Sequence, residues 1–317
     1  MNKLFKGVSC ILCSVLVACA LYESTNTGLS DAASNDRSYK IFNAVTGAYI
    51  DQYTIPKSQV LSDVNSRDIF DSNISQNDYN VKKGVVKIMS SDFYRGTGFV
   101  VDDHTIATAA HCVKASDTTV AKTISDILLF DNNDNIALHA TPVQIHMPTE
   151  WYNFSNGPKN FSSIYEEMYH WTYDYALITV EEDLSEYMHY KLGTTLNTFY
   201  PSSSTAVADK VLKIIGYPQT SNNHYSNQAE IESGVGMYYT NNSYTNPYGS
   251  LVYYSNSIIG GYSGSPVYYT ENYNNVEYNT VIAINTASQY LADDACSGVK
   301  ITEDLLTFYL SNSHIDY

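Results

Sequence analysis

Three short stretches of this chain carry side chains that together can open an acyl bond. His111 lies in Thr108-Ala109-Ala110-His111-Cys112, directly after a glycine-flanked apolar run. Asp174 stands in Tyr173-Asp174-Tyr175-Ala176-Leu177-Ile178, at the entry to another apolar run, and Ser263 sits in Gly260-Gly261-Tyr262-Ser263-Gly264-Ser265-Pro266. Attack on a peptide carbonyl at neutral pH needs an activated nucleophile, a base that returns its proton to the leaving amine, and a group that holds the base. Serine, histidine and aspartate fill those places, although Asp102, Asp103 and Asp183 compete with Asp174 for the last one. The glycines around Ser263 suit a turn whose amides point inward at a developing oxyanion, with the N–H groups of Gly261 and Ser263 as donors.

These residues need a scaffold, and from Val81 onward the sequence supplies short β-branched runs separated by turn residues. They are Gly84 to Met89, Thr97 to Val101, Ile127 to Phe130, Ala176 to Val180, Val211 to Ile215, Pro266 to Tyr269 and Val281 to Asn285. That spacing predicts an all-β barrel or sandwich. The exception is the end, where Thr302 can cap a helix with Glu303 and Asp304 in its first turn and Leu305, Leu306, Phe308, Tyr309 and Leu310 as its apolar residues. No repeat of solenoid type is present.

Composition narrows the partners. With 17 Lys and Arg against 33 Asp and Glu, the formal charge of −16 repels phosphate backbones, which excludes nucleic acid as an expected ligand. Asp131-Asn132-Asn133-Asp134-Asn135 carries oxygen ligands but lacks the glycine and terminal Glu of an EF-hand loop, and reads as a hairpin turn. No metal or other cofactor is expected, and the chain reads as a monomer acting on proteins or peptides.

The first residues read as an export signal over 1–20, with basic Lys3 and Lys6 ahead of an apolar run from Val8 to Ala18 that is too short to span a bilayer comfortably. Its end allows two readings. Leu16-Val17-Ala18-Cys19 resembles a lipobox with Cys19 lipidated, which would give a membrane anchor, whereas Ala18-Cys19-Ala20 fits ordinary signal cleavage. Either way the expected location is secreted or at the cell envelope. Residues 21–59 are polar, without a sustained period, and read as a linker or propeptide ahead of a folded unit over 60–317. Only Cys112 and Cys296 fall in that unit, too few for a disulfide framework.

The strings TAAHC, YDYALI and GGYSGSPV resemble the three signatures of chymotrypsin-like serine peptidases, and SGSPV is similar to their bacterial glutamyl endopeptidase branch. The resemblance extends to Lys213-Ile214-Ile215-Gly216-Tyr217-Pro218 and to the stretch from Gly298 to Leu310, covering the chain from about Val60 onward. It implies two six-stranded barrels with a C-terminal helix, a cleft between the lobes, and a triad of His111, Asp174 and Ser263. The order His, Asp, Ser agrees. An α/β-hydrolase runs Ser, acid, His and needs G-x-S-x-G, which fails here because Gly261-Tyr262-Ser263-Gly264-Ser265 ends in serine. In many animal trypsins the Cys after the histidine pairs with an upstream Cys; Gly96, Thr97 and Gly98 stand there, so Cys112 is expected as a free buried thiol.

The same resemblance carries three further expectations. Glutamyl endopeptidases bind the substrate carboxylate with a Thr five residues before the nucleophile and a His on the following strand; this chain has Ile258 and Asn285 at those places. A Glu side chain there would be left short of partners, so an uncharged residue before the cut bond is expected, with Ile258 and Asn285 lining its pocket. Val60-Leu61 followed by Asn65, Arg67 and Asp68 is similar to the mature amino terminus of that branch, implying a zymogen cut between Gln59 and Val60. A catalytically silent homologue, binding partners through Tyr- and Asn-rich loops such as Tyr238 to Tyr248, is the alternative; the complete triad and both glycines speak against it.

Overall fold

The structure is a computed structural model that describes residues 36–56, 78–92, 94–114, 120–131, 133–156, 170–187, 190–193, 211–221, 224–237, 251–273, 276–288 and 296–312. The expected export signal with Cys19, the Gln59–Val60 bond and the stretch from Tyr238 to Tyr248 lie outside those residues. The fold is all-β, of chymotrypsin type, built on two sheets that are antiparallel except where β10 pairs β17 in parallel, with few helices.

The first sheet comprises β1 (Arg37–Asn43), β2 (Tyr49–Ile55), β3 (Val85–Ser90), β4 (Arg95–Asp102), β5 (Thr105–Thr108), β6 (Ile124–Phe130), β7 (Ile136–Ala140), β8 (Pro142–Pro148) and β9 (Ala176–Val180), in the order β2-β1-β8-β9-β5-β4-β3-β6-β7. The second contains β10 (Lys191–Leu192), β11 (Val211–Gly216), β14 (Glu230–Met237), β15 (Leu251–Tyr254), β16 (Pro266–Tyr273), β17 (Val276–Ser288) and β18 (Cys296–Lys300); β12 (Gln219–Ser221) and β13 (His224–Tyr225) pair separately. Helices α1 (Asp78–Lys83), α2 (Ala110–Val113), α3 (Thr149–Asn156) and α4 (Glu303–Asn312) complete the described elements.

Central strands read as expected for their surroundings. β9 lies between β8 and β5 with all five residues buried, so its sequence Ala-Leu-Ile-Thr-Val is a nearly continuous apolar run. The terminal helix begins where Thr302 caps it, the Thr302 hydroxyl accepting the Leu305 N–H at 3.2 Å, and it buries Leu305, Leu306, Phe308 and Tyr309. The Asp131 region is a hairpin turn between β6 and β7, in which the Asp131 carboxylate accepts the N–H groups of Asn133 and Asn135 at 2.8 and 2.9 Å.

The expectation for 21–59 needs correction within 37–55. This stretch is a β-hairpin that pairs through β1 with β8, and Tyr39, Phe42 and Ala44 enter the hydrophobic core. Asn43 closes its turn by accepting the N–H groups of Val45 and Thr46, and Gly47 takes a φ of 70° where a side chain would strike the Ala121 carbonyl. The period-two signal is hidden: buried Tyr39 and Phe42 stand three apart on β1, and Ile50 is an extra residue on β2 where the register shifts opposite Ile41 and Phe42. The hairpin supplies two of the nine strands of the first sheet, which exceeds the six strands expected.

Phe42 is fully buried. Phe42→Ala is therefore expected to destabilise the protein by about 3–5 kcal/mol, read as a clear fall in Tm. An unchanged Tm would mean that this stretch is as dispensable as its composition suggests.

Candidate active site

β5 and β9 are antiparallel neighbours with Thr108 opposite Ala176, so the chain leaving β5 and the chain entering β9 run past one another. That register brings His111, on the single turn α2, to Asp174. The Asp174 carboxylate is completely buried, and both its oxygens go to one residue: Oδ1 accepts the backbone N–H of His111 at 2.8 Å and Oδ2 lies 2.7 Å from His111 Nδ1. The His111 side chain keeps 23% of its surface exposed, so one edge of the ring faces the outside.

The two groups set each other's charge. Burial opposes a charged imidazole, but the Asp174 carboxylate, the adjacent Cys112 sulfur and their hydrogen bonds outweigh it and hold His111 well above the ordinary imidazole range. His146 on β8 shows burial acting alone, which lowers it to about 4.

Ser263 occupies the turn between β15 and β16, and the turn is shaped by two left-handed glycines. Gly261 has φ 97° and Gly264 φ 83°; a Cβ on either would lie 2.1 Å from a carbonyl oxygen, that of Tyr217 or Thr97. The turn is bound to the first sheet through Thr97 on β4. Its N–H donates to the Ser263 carbonyl at 2.8 Å, its hydroxyl donates to the Gly261 carbonyl at 2.8 Å and accepts the Tyr217 N–H at 3.1 Å, and its carbonyl accepts the Thr108 hydroxyl at 2.8 Å. Thr108 stands three residues before His111, so one threonine joins the serine turn to the histidine turn. Among the described residues the N–H groups of Gly261 and Ser263 meet no acceptor. Nor does a hydrogen bond join Ser263 Oγ to His111 among them.

The expected pocket residues fare differently. Ile258 is half-buried against the apolar cluster of the second sheet. Asn285 is buried, but its Nδ2 donates to the Tyr262 carbonyl at 2.8 Å and its Oδ1 accepts the Tyr254 hydroxyl at 2.7 Å. Its backbone also brackets the turn, donating to the Ser265 carbonyl and accepting the Gly264 N–H, both at 2.8 Å. Asn285 thus holds the serine turn from behind, and its carboxamide is already engaged at both ends.

Two contributors escaped the sequence reading. Thr97 looks like any strand threonine, and its role emerges only from contacts across more than a hundred positions. Tyr94 places its hydroxyl 3.7 Å from Cys112 Sγ and in hydrogen-bonding reach of Ser263, with its ring edge-on to His111 at 6.3 Å. The Lys122 ammonium lies over the Tyr94 ring, 3.5 Å from its centroid. Cys112 itself is a free buried thiol, and a side chain on Gly96 would crowd its sulfur.

A histidine–aspartate pair on one antiparallel sheet, bound to a glycine-bracketed serine on the other, is the arrangement of the chymotrypsin-like serine peptidases. The chain belongs to the trypsin-like peptidase domain family, whose model matches residues 96–274, more than half its length. It is similar in fold to a Glu endopeptidase solved in complex with MPD, with 17% identity and a TM-score of 0.52 over 76% of this chain and 94% of that one. It also aligns with the protease Anisep from Arthrobacter nicotinovorans, with 17% identity and a TM-score of 0.49 over 75% of this chain and 98% of that one. No curated protein matches its sequence.

The opposed environments of the two histidines can be read by NMR titration. His111 should lose its proton well above the ordinary value of about 6.5, and His146 near 4. For His111 the raised folded value means that its contribution to stability is complete below about 6.5 and is lost as pH rises through the folded value. Asp174→Asn should bring the His111 midpoint down, because the opposing charge is gone; a midpoint left in place would contradict the electrostatic account.

Proposed function

We propose that this chain is a secreted or envelope-held serine endopeptidase that hydrolyses peptide bonds through Ser263, His111 and Asp174. The observation that carries the reading is the double grip of buried Asp174 on His111, at the backbone N–H and at Nδ1, which leaves Nε2 as the ring's remaining nitrogen for a proton from Ser263. Asp174 fixes the tautomer and stabilises the imidazolium that forms.

The reaction follows from these positions. Ser263 Oγ attacks the carbonyl carbon while His111 Nε2 takes its proton, and the N–H groups of Gly261 and Ser263 receive the negative charge on the carbonyl oxygen. Collapse breaks the C–N bond, His111 hands the proton to the leaving amine, and the acyl group stays on Ser263. Water then repeats the sequence: His111 takes its proton, the ester opens, and Ser263 recovers its hydrogen. Because the base must be neutral to start, the raised value of His111 places the acidic limb of activity above the ordinary imidazole range.

For the residue before the cut bond we favour an uncharged side chain. Ile258 contributes apolar surface, and the Asn285 amide is occupied by Tyr262 and Tyr254. A carboxylate would then enter without a matched donor, a penalty of ~1–3 kcal/mol or more.

Incubation with a peptide library tests both levels. Wild-type protein should cut after uncharged residues, Ser263→Ala should lower kcat by ~10³-fold or more at unchanged Tm, and Ser265→Ala should keep most of the activity. Full activity in folded Ser263→Ala would refute the assignment, and strict cutting after Glu would refute the pocket reading alone.

A further inference from the structure

The N-terminal hairpin lies against the residues that flank Asp174. Arg37 Nη1 donates to the Tyr173 hydroxyl at 2.9 Å, while its Nε and Nη2 both donate to Asp304 Oδ2 at 3.2 Å, and Glu150 Oε1 stands 3.9 Å away. Two residues along the strand, the Tyr39 hydroxyl lies 3.4 Å from that of Tyr175, and its ring stacks on Phe308 of α4 at 4.3 Å. The spacing is the point. Arg37 and Tyr39 are i and i+2 on β1, and their partners Tyr173 and Tyr175 are i and i+2 around Asp174, whose own carboxylate goes to His111 instead. The acid is gripped on both flanks by one strand more than 130 positions earlier.

We propose that Arg37 and Tyr39 are positioning residues for catalysis: β1 holds Tyr173 and Tyr175 so that Asp174 stays in register with His111. The proposal rests on the peptidase reading above. Its physical basis is the short tolerance of the triad, since a displacement of about 1 Å can lower turnover by about 10²-fold. Before Asp174 the Tyr173 N–H donates to the His170 carbonyl at 3.1 Å and the Asp174 N–H to the Trp171 carbonyl at 3.2 Å, and the contacts from β1 add to these turns. The guanidinium adds a planar fork that reaches Tyr173 and α4 together. Phe308 touches both Tyr39 and Tyr175, so hairpin, acid and terminal helix form one packed group.

A consequence concerns maturation. A cut between Gln59 and Val60 would leave the hairpin seated in the sheet as a separate chain, part of the mature enzyme and not a discarded front.

The test uses full-chain enzyme with Arg37→Met, Tyr173→Phe and the double variant, and with Gln52→Ala on exposed β2 as a control. Active sites are counted by fluorophosphonate labelling, and kcat and KM are measured per labelled site on a peptide substrate. Each single change should lower kcat about tenfold or more with KM within about twofold, by the same sensitivity to position. The double should be no worse than the poorer single, and Gln52→Ala should match wild type. Should Arg37→Met fail to fold, Tyr173→Phe decides alone, because it deletes one oxygen. An unchanged kcat per labelled site, with only Tm or the labelled fraction falling, overturns the proposal, as do losses that multiply in the double. A wild-type protein that neither labels nor cleaves overturns the peptidase reading and this one with it, recognisable because all variants then equal wild type.

Discussion

A carboxylate removed entirely from water must be met by donors or give up its charge, and Asp174 is met twice by a single residue. Much of the surrounding architecture serves that meeting. The β5–β9 register sets the two chain segments side by side, and the single turn α2 directs both the backbone N–H and the ring of His111 at the carboxylate. Because the pair is shielded, the attraction is strong enough to overcome the cost of burying an imidazolium, which is why His111 and His146 depart from the ordinary range in opposite directions.

The serine belongs to the other sheet, so its position depends on how firmly the sheets are joined. Thr97 is the junction closest to the chemistry, using its N–H, carbonyl and hydroxyl on the turns that carry Ser263 and His111. Farther out, Lys87 on β3 sends its buried ammonium to the Ser226 carbonyl and Asn227 Oδ1, both at 2.9 Å. A lysine hidden this deeply with such partners fixes relative position, and its lowered affinity for a proton records the burial. Rigid junctions of this kind suit a mechanism whose donors must already be in place when the oxyanion forms.

The residues of the His111–Asp174 pair, the glycine turn around Ser263, the central strands and the capped terminal helix were legible because each is a local pattern: a run, a cap or a bracket of glycines. The hairpin over 37–55 was not legible, since its buried residues on β1 stand three apart and β2 is mostly exposed. Thr97, Tyr94 and Arg37 were invisible for a different reason. Each acts on a partner far along the chain, and neither threonine, tyrosine nor arginine signals that partner in its own neighbourhood. Asn285 is expected as a pocket residue from the resemblance, yet which groups claim its amide depends on Tyr254 and the Tyr262 carbonyl, which sequence spacing does not reveal.

The central claim is that one serine, made reactive by the buried pair, performs the chemistry. Mass spectrometric peptide mapping after treatment with a fluorophosphonate tests it most directly. The adduct should fall on Ser263 and not on Ser265, and should be nearly abolished in folded His111→Ala, which keeps the hydroxyl but removes its base. No adduct on the wild-type protein, or one on Ser263 that forms equally fast without His111, would contradict the account.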